Sequence, residues 1–80
     1  MLKWIDESNK YEEVQTAYFD SYEITVIRFS VGGSCAWMKK PGITSSPLFK
    51  KSYPVGMTLE ETKEQFLEEL REYLQEQASY

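Results

Sequence analysis

One segment constrains the fold more than any other. Thr58-Leu59-Glu60-Glu61 is a capping box, in which the Thr58 hydroxyl accepts from the Glu61 amide and the Glu61 carboxylate accepts from the Thr58 amide. Leu59, Phe66, Leu67, Leu70, Tyr73 and Leu74 follow at helical spacing, and no Gly or Pro interrupts them. The pattern predicts a helix over residues 59–77 with one apolar stripe. A single stripe needs a single apolar layer to lie on, and the rest of the chain must supply it.

The upstream residues read as strands. Residues 22–31 (YEITVIRFSV) are rich in β-branched and aromatic side chains. Tyr22, Ile24 and Val26 would share one face, and Ile27, Phe29 and Val31 the other. This change of phase predicts either a bulge near Ile27 or a strand covered on both sides. Residues 11–19 form a strand before it, joined by a tight turn at Phe19-Asp20-Ser21-Tyr22. Residues 35–40 pair back after Gly32-Gly33, which supply the positive φ that a hairpin turn needs. Residues 48–53 make a fourth strand. Between the last two, residues 41–47 (PGITSSP) hold two prolines and no charge, and are expected to form an exposed, mobile loop. The fold expected is α+β: a single domain over residues 1–80, with an antiparallel four-stranded β-meander and one C-terminal helix packed on one face. A chain of 80 residues buries only about 60–65% of the surface its unfolded form exposes, so its few large aromatics matter to the core.

A family resemblance rests on several of these features: Trp4, the Y-x-I-x-V strand (Tyr22, Ile24, Val26), the glycine turn leading to Trp37, and TLEETKEQFLEEL opening the helix at Thr58. The chain resembles small phage and prophage proteins in which a β-meander carries a helix with a T-L-E-E-A-K-like start. The likeness runs from Trp4 to Leu74, and each motif in it is generic for the fold. It implies a mobile-element origin. Such proteins include inhibitors of host defence, anti-CRISPR proteins among them, which are also short, acidic and compact. The resemblance assigns a role to no particular residue.

The candidate chemistry begins at GGSCAW (residues 32–37), which has a papain-like look. That chemistry needs an imidazole to hold the thiolate, and the chain contains no histidine. GGSCAW also lacks the first cysteine of the papain signature and places Ala36 before the aromatic. Cys35 is therefore expected to be a small buried hydrophobe. By alternation it shares a face with Trp37, and that face is expected to lie against Phe66 and Leu70. The absence of histidine also excludes Ser-His-Asp catalysis and histidine metal sites, and one cysteine cannot build a thiolate zinc site. Gly32-Gly33 fits neither phosphate-loop pattern. The chain is expected to be a non-enzyme with no cofactor and no metal.

Charge is the remaining signal. The net charge of −4 is unevenly spread. Residues 24–58 carry five bases (Arg28, Lys39, Lys40, Lys50, Lys51) and no acid, whereas residues 59–80 carry seven acids and two bases. Glu61, Glu64, Glu68, Glu72 and Glu76 recur along one helical ridge, where like charges repel by a few tenths of a kcal/mol per pair. A solvated helix face is the ordinary meaning of such a pattern, and a docking face for a basic partner is the functional one. At ~6 Å between ridge charges, against ~3.4 Å between phosphates of one DNA strand, it is too sparse for a good DNA mimic. Lys39-Lys40 and Lys50-Lys51 flank the 41–47 loop and would form a four-lysine cluster at a hairpin base, near Trp37 and Tyr53. Edge-strand lysines commonly serve to prevent aggregation.

The leading expectation is a binding protein that occludes a surface on a host protein, such as the nucleic-acid-binding surface of a CRISPR or other defence effector. Its partner-binding candidates are Glu61, Glu64, Glu68, Glu72, Lys39, Lys40, Lys50 and Lys51. The alternative is a small nucleic-acid-binding accessory protein that uses the lysine cluster, although an acidic chain repels nucleic acid at long range. A homodimer is a third reading, formed at a sheet edge or by acidic helix against basic hairpin. The opening residues 1–7 lack a signal-peptide apolar run, and no segment reaches the ~18 apolar residues of a membrane span, so the cytoplasm is expected.

Overall fold

A computed structural model describes residues 2–19, 21–40 and 47–78. The described residues form five strands, β1 (Ile5–Asp6), β2 (Glu12–Phe19), β3 (Tyr22–Phe29), β4 (Ser34–Lys39) and β5 (Phe49–Tyr53), and one helix, α1 (Leu59–Ala78). The sheet is antiparallel in the order β1-β2-β3-β4-β5, a meander with α1 packed on one face. The α+β expectation holds, with one strand more than the four read from sequence. That strand, β1, has two residues, too few to show alternation. It is held by pairing Ile5 with Thr16 and Asp6 with Gln15. Beyond Asp6, the Glu7 amide donates to the Val14 carbonyl (2.8 Å) and the Ser8 hydroxyl accepts from the Val14 amide (2.9 Å).

β3 contains no bulge. Its partners on β2 run unbroken from Phe19 opposite Tyr22 to Glu12 opposite Phe29. The phase change in the sequence reflects a strand with apolar residues on both faces. Ile24 and Val26 are fully buried under α1, while Ile27 lies half-buried on the face away from it. The tight turn expected at residues 19–22 includes Asp20, and the loop expected at 41–47 includes 41–46. Both lie outside the described residues.

β4 corrects the sequence reading. Cys35 and Trp37 do share a face, but that face is turned away from the helix. Ser34, Ala36 and Met38 are the residues buried against α1, and the Ser34 and Thr62 hydroxyls meet at 2.9 Å. Ser34 and Ala36 are small enough for the helix to come close, whereas a tryptophan at that position would hold it off. Gly32 and Gly33 have positive φ, 105° and 82°, as the hairpin requires. They follow the turn's two central residues, Ser30 and Val31: the Gly32 amide closes the turn on the Phe29 carbonyl at 3.0 Å.

The core is one cluster, comprising Ile24, Val26, Ala36, Met38, Leu59, Phe66 and Leu70. Phe49 stacks on Tyr73 at 4.7 Å and tilts against Phe66 at 5.6 Å, tying the edge strand β5 to the helix. Large side chains such as Phe66 and Leu70 contribute about 1.5–3 kcal/mol each when fully buried. The capping box forms as read, with Thr58 N to Glu61 Oε1 at 2.9 Å and Glu61 N to Thr58 Oγ1 at 3.1 Å.

Candidate functional site

The helix face opposite the core carries Glu61, Glu64, Glu68 and Glu72, all exposed. At 3.6 residues per turn the four fall within about 80° of arc and span roughly 16 Å. None makes an ion pair among the described residues. The two helical bases do little to neutralise the ridge. Lys63 turns inward and is only 8% exposed. Its ammonium donates to Gln15 Oε1 at 2.7 Å, pairs with Glu60 at 2.8 Å and lies 5.0 Å from the centre of the Trp4 ring. Arg71 remains at the edge of the ridge, without an ion pair among the described residues. The last turn of the helix has no base to complement the dipole, so Glu72 and Glu76 are unfavourable for the isolated helix.

Glu61 differs from the other three because the cap fixes it in place. Hydrogen bonds from the Thr58 backbone and side chain hold its carboxyl below the usual range.

The expected four-lysine cluster is split by the sheet. Lys50 and Lys51 are consecutive in a strand and so point to opposite faces. Lys51 lies on the helix side, opposite Ala36, with its ammonium 3.7 Å from Glu69. Here basic middle and acidic tail meet within one molecule. Lys50 lies on the open face opposite Trp37, and Lys39 is on that same face, opposite Glu23. Lys40 is exposed just beyond β4. The lysines thus divide between the two faces, and the open face keeps Lys50 directly across from Trp37 and Lys39 two residues further along β4. Arg28 is engaged locally, donating to the Met57 carbonyl (3.1 Å) and pairing with Glu13 (3.2 Å).

Cys35 sits half-buried on the open face, opposite Ile27 and Ser52. Burial raises its thiol pKa; Lys50 pulls it down and Glu12 pushes it up. A thiol held protonated in this way is a poor nucleophile. Tyr53, on the helix side of β5, has a buried hydroxyl that meets no hydrogen-bond partner in good geometry among the described residues. Burial and the nearby Glu69 carboxylate push the phenol well above its ordinary range.

Among the described residues no group of three or more His, Cys, Asp or Glu is placed to hold a metal ion, and no helix is long and apolar enough to cross a membrane. The inward turn of Lys63 was not read from sequence, although the signal was there. Position 63 is four residues after Leu59 and three before Phe66, on the buried stripe. Comparison with protein-family models, curated proteins and solved structures finds no match for this chain.

Proposed function

We propose that this protein is a non-enzymatic binding protein that docks the acidic face of α1 on a basic surface of a partner protein and thereby occludes it. The observation that carries this reading is the ridge of Glu61, Glu64, Glu68 and Glu72, which no cation in the described structure neutralises while Lys63 is drawn into the core. Clustered like charges cost stability when unpaired, and an opposing basic surface would turn that cost into affinity and a faster encounter. The partner class that best fits is a host protein with a nucleic-acid-binding surface. In its sharpest form it is a CRISPR or other defence effector blocked by a phage or mobile-element product. The test is capture from host lysate on immobilised wild-type protein and on a Glu64→Lys, Glu68→Lys, Glu72→Lys variant, with Glu61 left intact to preserve the cap. A basic partner retained by the wild type and lost by the variant is expected. Identical capture by the two would remove the acidic face from the account.

The placement of Trp37 beside Lys50, its cross-strand partner, and Lys39, two residues along its own strand, on the open sheet face favours a second reading, binding of single-stranded nucleic acid by base stacking and phosphate contact. It predicts quenching of tryptophan fluorescence by an oligonucleotide, weakening steeply with salt. No quenching at low salt would exclude it.

A further inference from the structure

Beside the ridge, α1 borders an apolar groove. Ile24 and Leu70, both buried, form its floor, and Leu2, Phe19, Leu67 and Leu74 its walls, around about 460 Å³. Phe19 leaves 40% of its surface exposed there. Arg71 stands at the rim. At 100° per residue, Leu67, Leu74 and Arg71 project between the buried stripe and the glutamates. Groove and ridge therefore adjoin along the same stretch of helix. The groove wall from Leu67 to Leu74 runs for about 10 Å, alongside Glu64, Glu68 and Glu72.

Charge decides what such a groove accepts. An amphiphile with an anionic head, such as a fatty acid, would find one cation, Arg71, in a field set by three unpaired carboxylates. A neutral apolar molecule would leave those carboxylates unmet. An occupant with apolar side chains on one face and cations beside them satisfies both features at once. A helix does this with anchors at i, i+3, i+4 and i+7.

We propose that the groove takes a basic amphipathic helix of the partner protein, with its apolar side chains between Leu67, Leu74 and Phe19 and its cations on Glu64, Glu68 and Glu72. The inference rests on the docking reading above and specifies the partner's shape. Arg71 is then a mismatch that weakens binding, and replacing it with an acid should help.

The test uses a synthetic Leu/Lys peptide of about 14 residues, roughly four turns, with an apolar face. A scrambled peptide of the same composition with no apolar face, and sodium dodecanoate, serve as competing probes. The wild-type protein should bind the amphipathic peptide about tenfold or more tightly than the scrambled one. Leu74→Gln should remove most of that difference, and Arg71→Glu should strengthen amphipathic binding. If Leu74→Gln fails to fold by circular dichroism, Phe19→Gln on the opposite wall replaces it. The contrast between peptides on the wild type needs no variant. Equal affinities for the two peptides would overturn the inference while leaving the ridge reading intact, because charge alone would then suffice. Binding by neither peptide overturns the inference, and lysate capture still judges the ridge. Saturable dodecanoate binding that disappears in Arg71→Glu would also overturn it, showing an anionic-ligand site.

Discussion

The contact between Ser34 and Thr62 gives the sharpest test of the packing, because it depends on which face of β4 meets the helix. Both residues are buried. Thr62 Oγ1 donates to the Thr58 carbonyl at 2.8 Å, so its one proton is engaged there. The 2.9 Å contact must then be donated by Ser34 Oγ to Thr62 Oγ1. Ser34→Ala removes that donor and leaves the Thr62 hydroxyl bonded to Thr58, at a cost of about 0.5–1.5 kcal/mol, the net value of one hydrogen bond. Thr62→Val removes the acceptor and strands the Ser34 hydroxyl in the core, and it gives up the hydroxyl's bond to the Thr58 carbonyl, which keeps the Thr62 amide, at a cost of about 1–3 kcal/mol. In the double variant no hydroxyl is stranded, so its loss should fall well below the sum of the singles. Thermal unfolding followed by circular dichroism measures all four proteins, and in a domain of this size each ~1 kcal/mol moves the melting midpoint by ~4–8 °C. Losses that add to within ~0.5 kcal/mol would refute the reasoning. They would mean that the two hydroxyls do not meet in the core.

Two further outcomes follow from local geometry. Gly32→Ala should destabilise by more than ~1 kcal/mol, since φ is +105° and the added Cβ would meet Val55 Cγ2 at 3.0 Å; adding Val55→Ala should restore the steric part and leave the backbone part, as read by thermal melts. Glu61 has a lowered folded-state pKa, so its capping contribution is full above the unfolded value near 4.5 and is lost as the pH falls through the lower folded value. Glu61→Gln should therefore reduce the loss of stability on acidification through that window, and a melt series from neutral to acid pH that matches the wild type in slope would contradict it.

The charges of the candidate site were legible in sequence, but their environment was only partly so. Glu61, Glu64, Glu68 and Glu72 follow from helical spacing alone, because position on a helix sets the face. The split of Lys50 from Lys51 was also available, since neighbours in a strand cannot share a face. What hid it was proximity in sequence, which reads as a cluster until strand alternation is applied. The groove was invisible because its walls come from Leu2, Phe19 and α1, segments far apart in the chain.

From the sequence alone came α1, with its cap and buried stripe, the four longer strands, and the glycine hairpin between β3 and β4. Each depends on interactions within a few residues: a hydroxyl and an amide three positions apart, a side-chain period, a φ that only glycine adopts at little cost. Tertiary structure decided the rest. Alternation in β4 defines two faces without saying which is inside, and the close approach of α1 selects the small residues Ser34 and Ala36 over Cys35 and Trp37. Lys63 changes from a surface charge to a buried donor because Gln15 and Trp4 are waiting beneath it. The two residues of β1 become a strand only because β2 presents its edge. In each case the deciding contact comes from distant residues, and no local pattern encodes it.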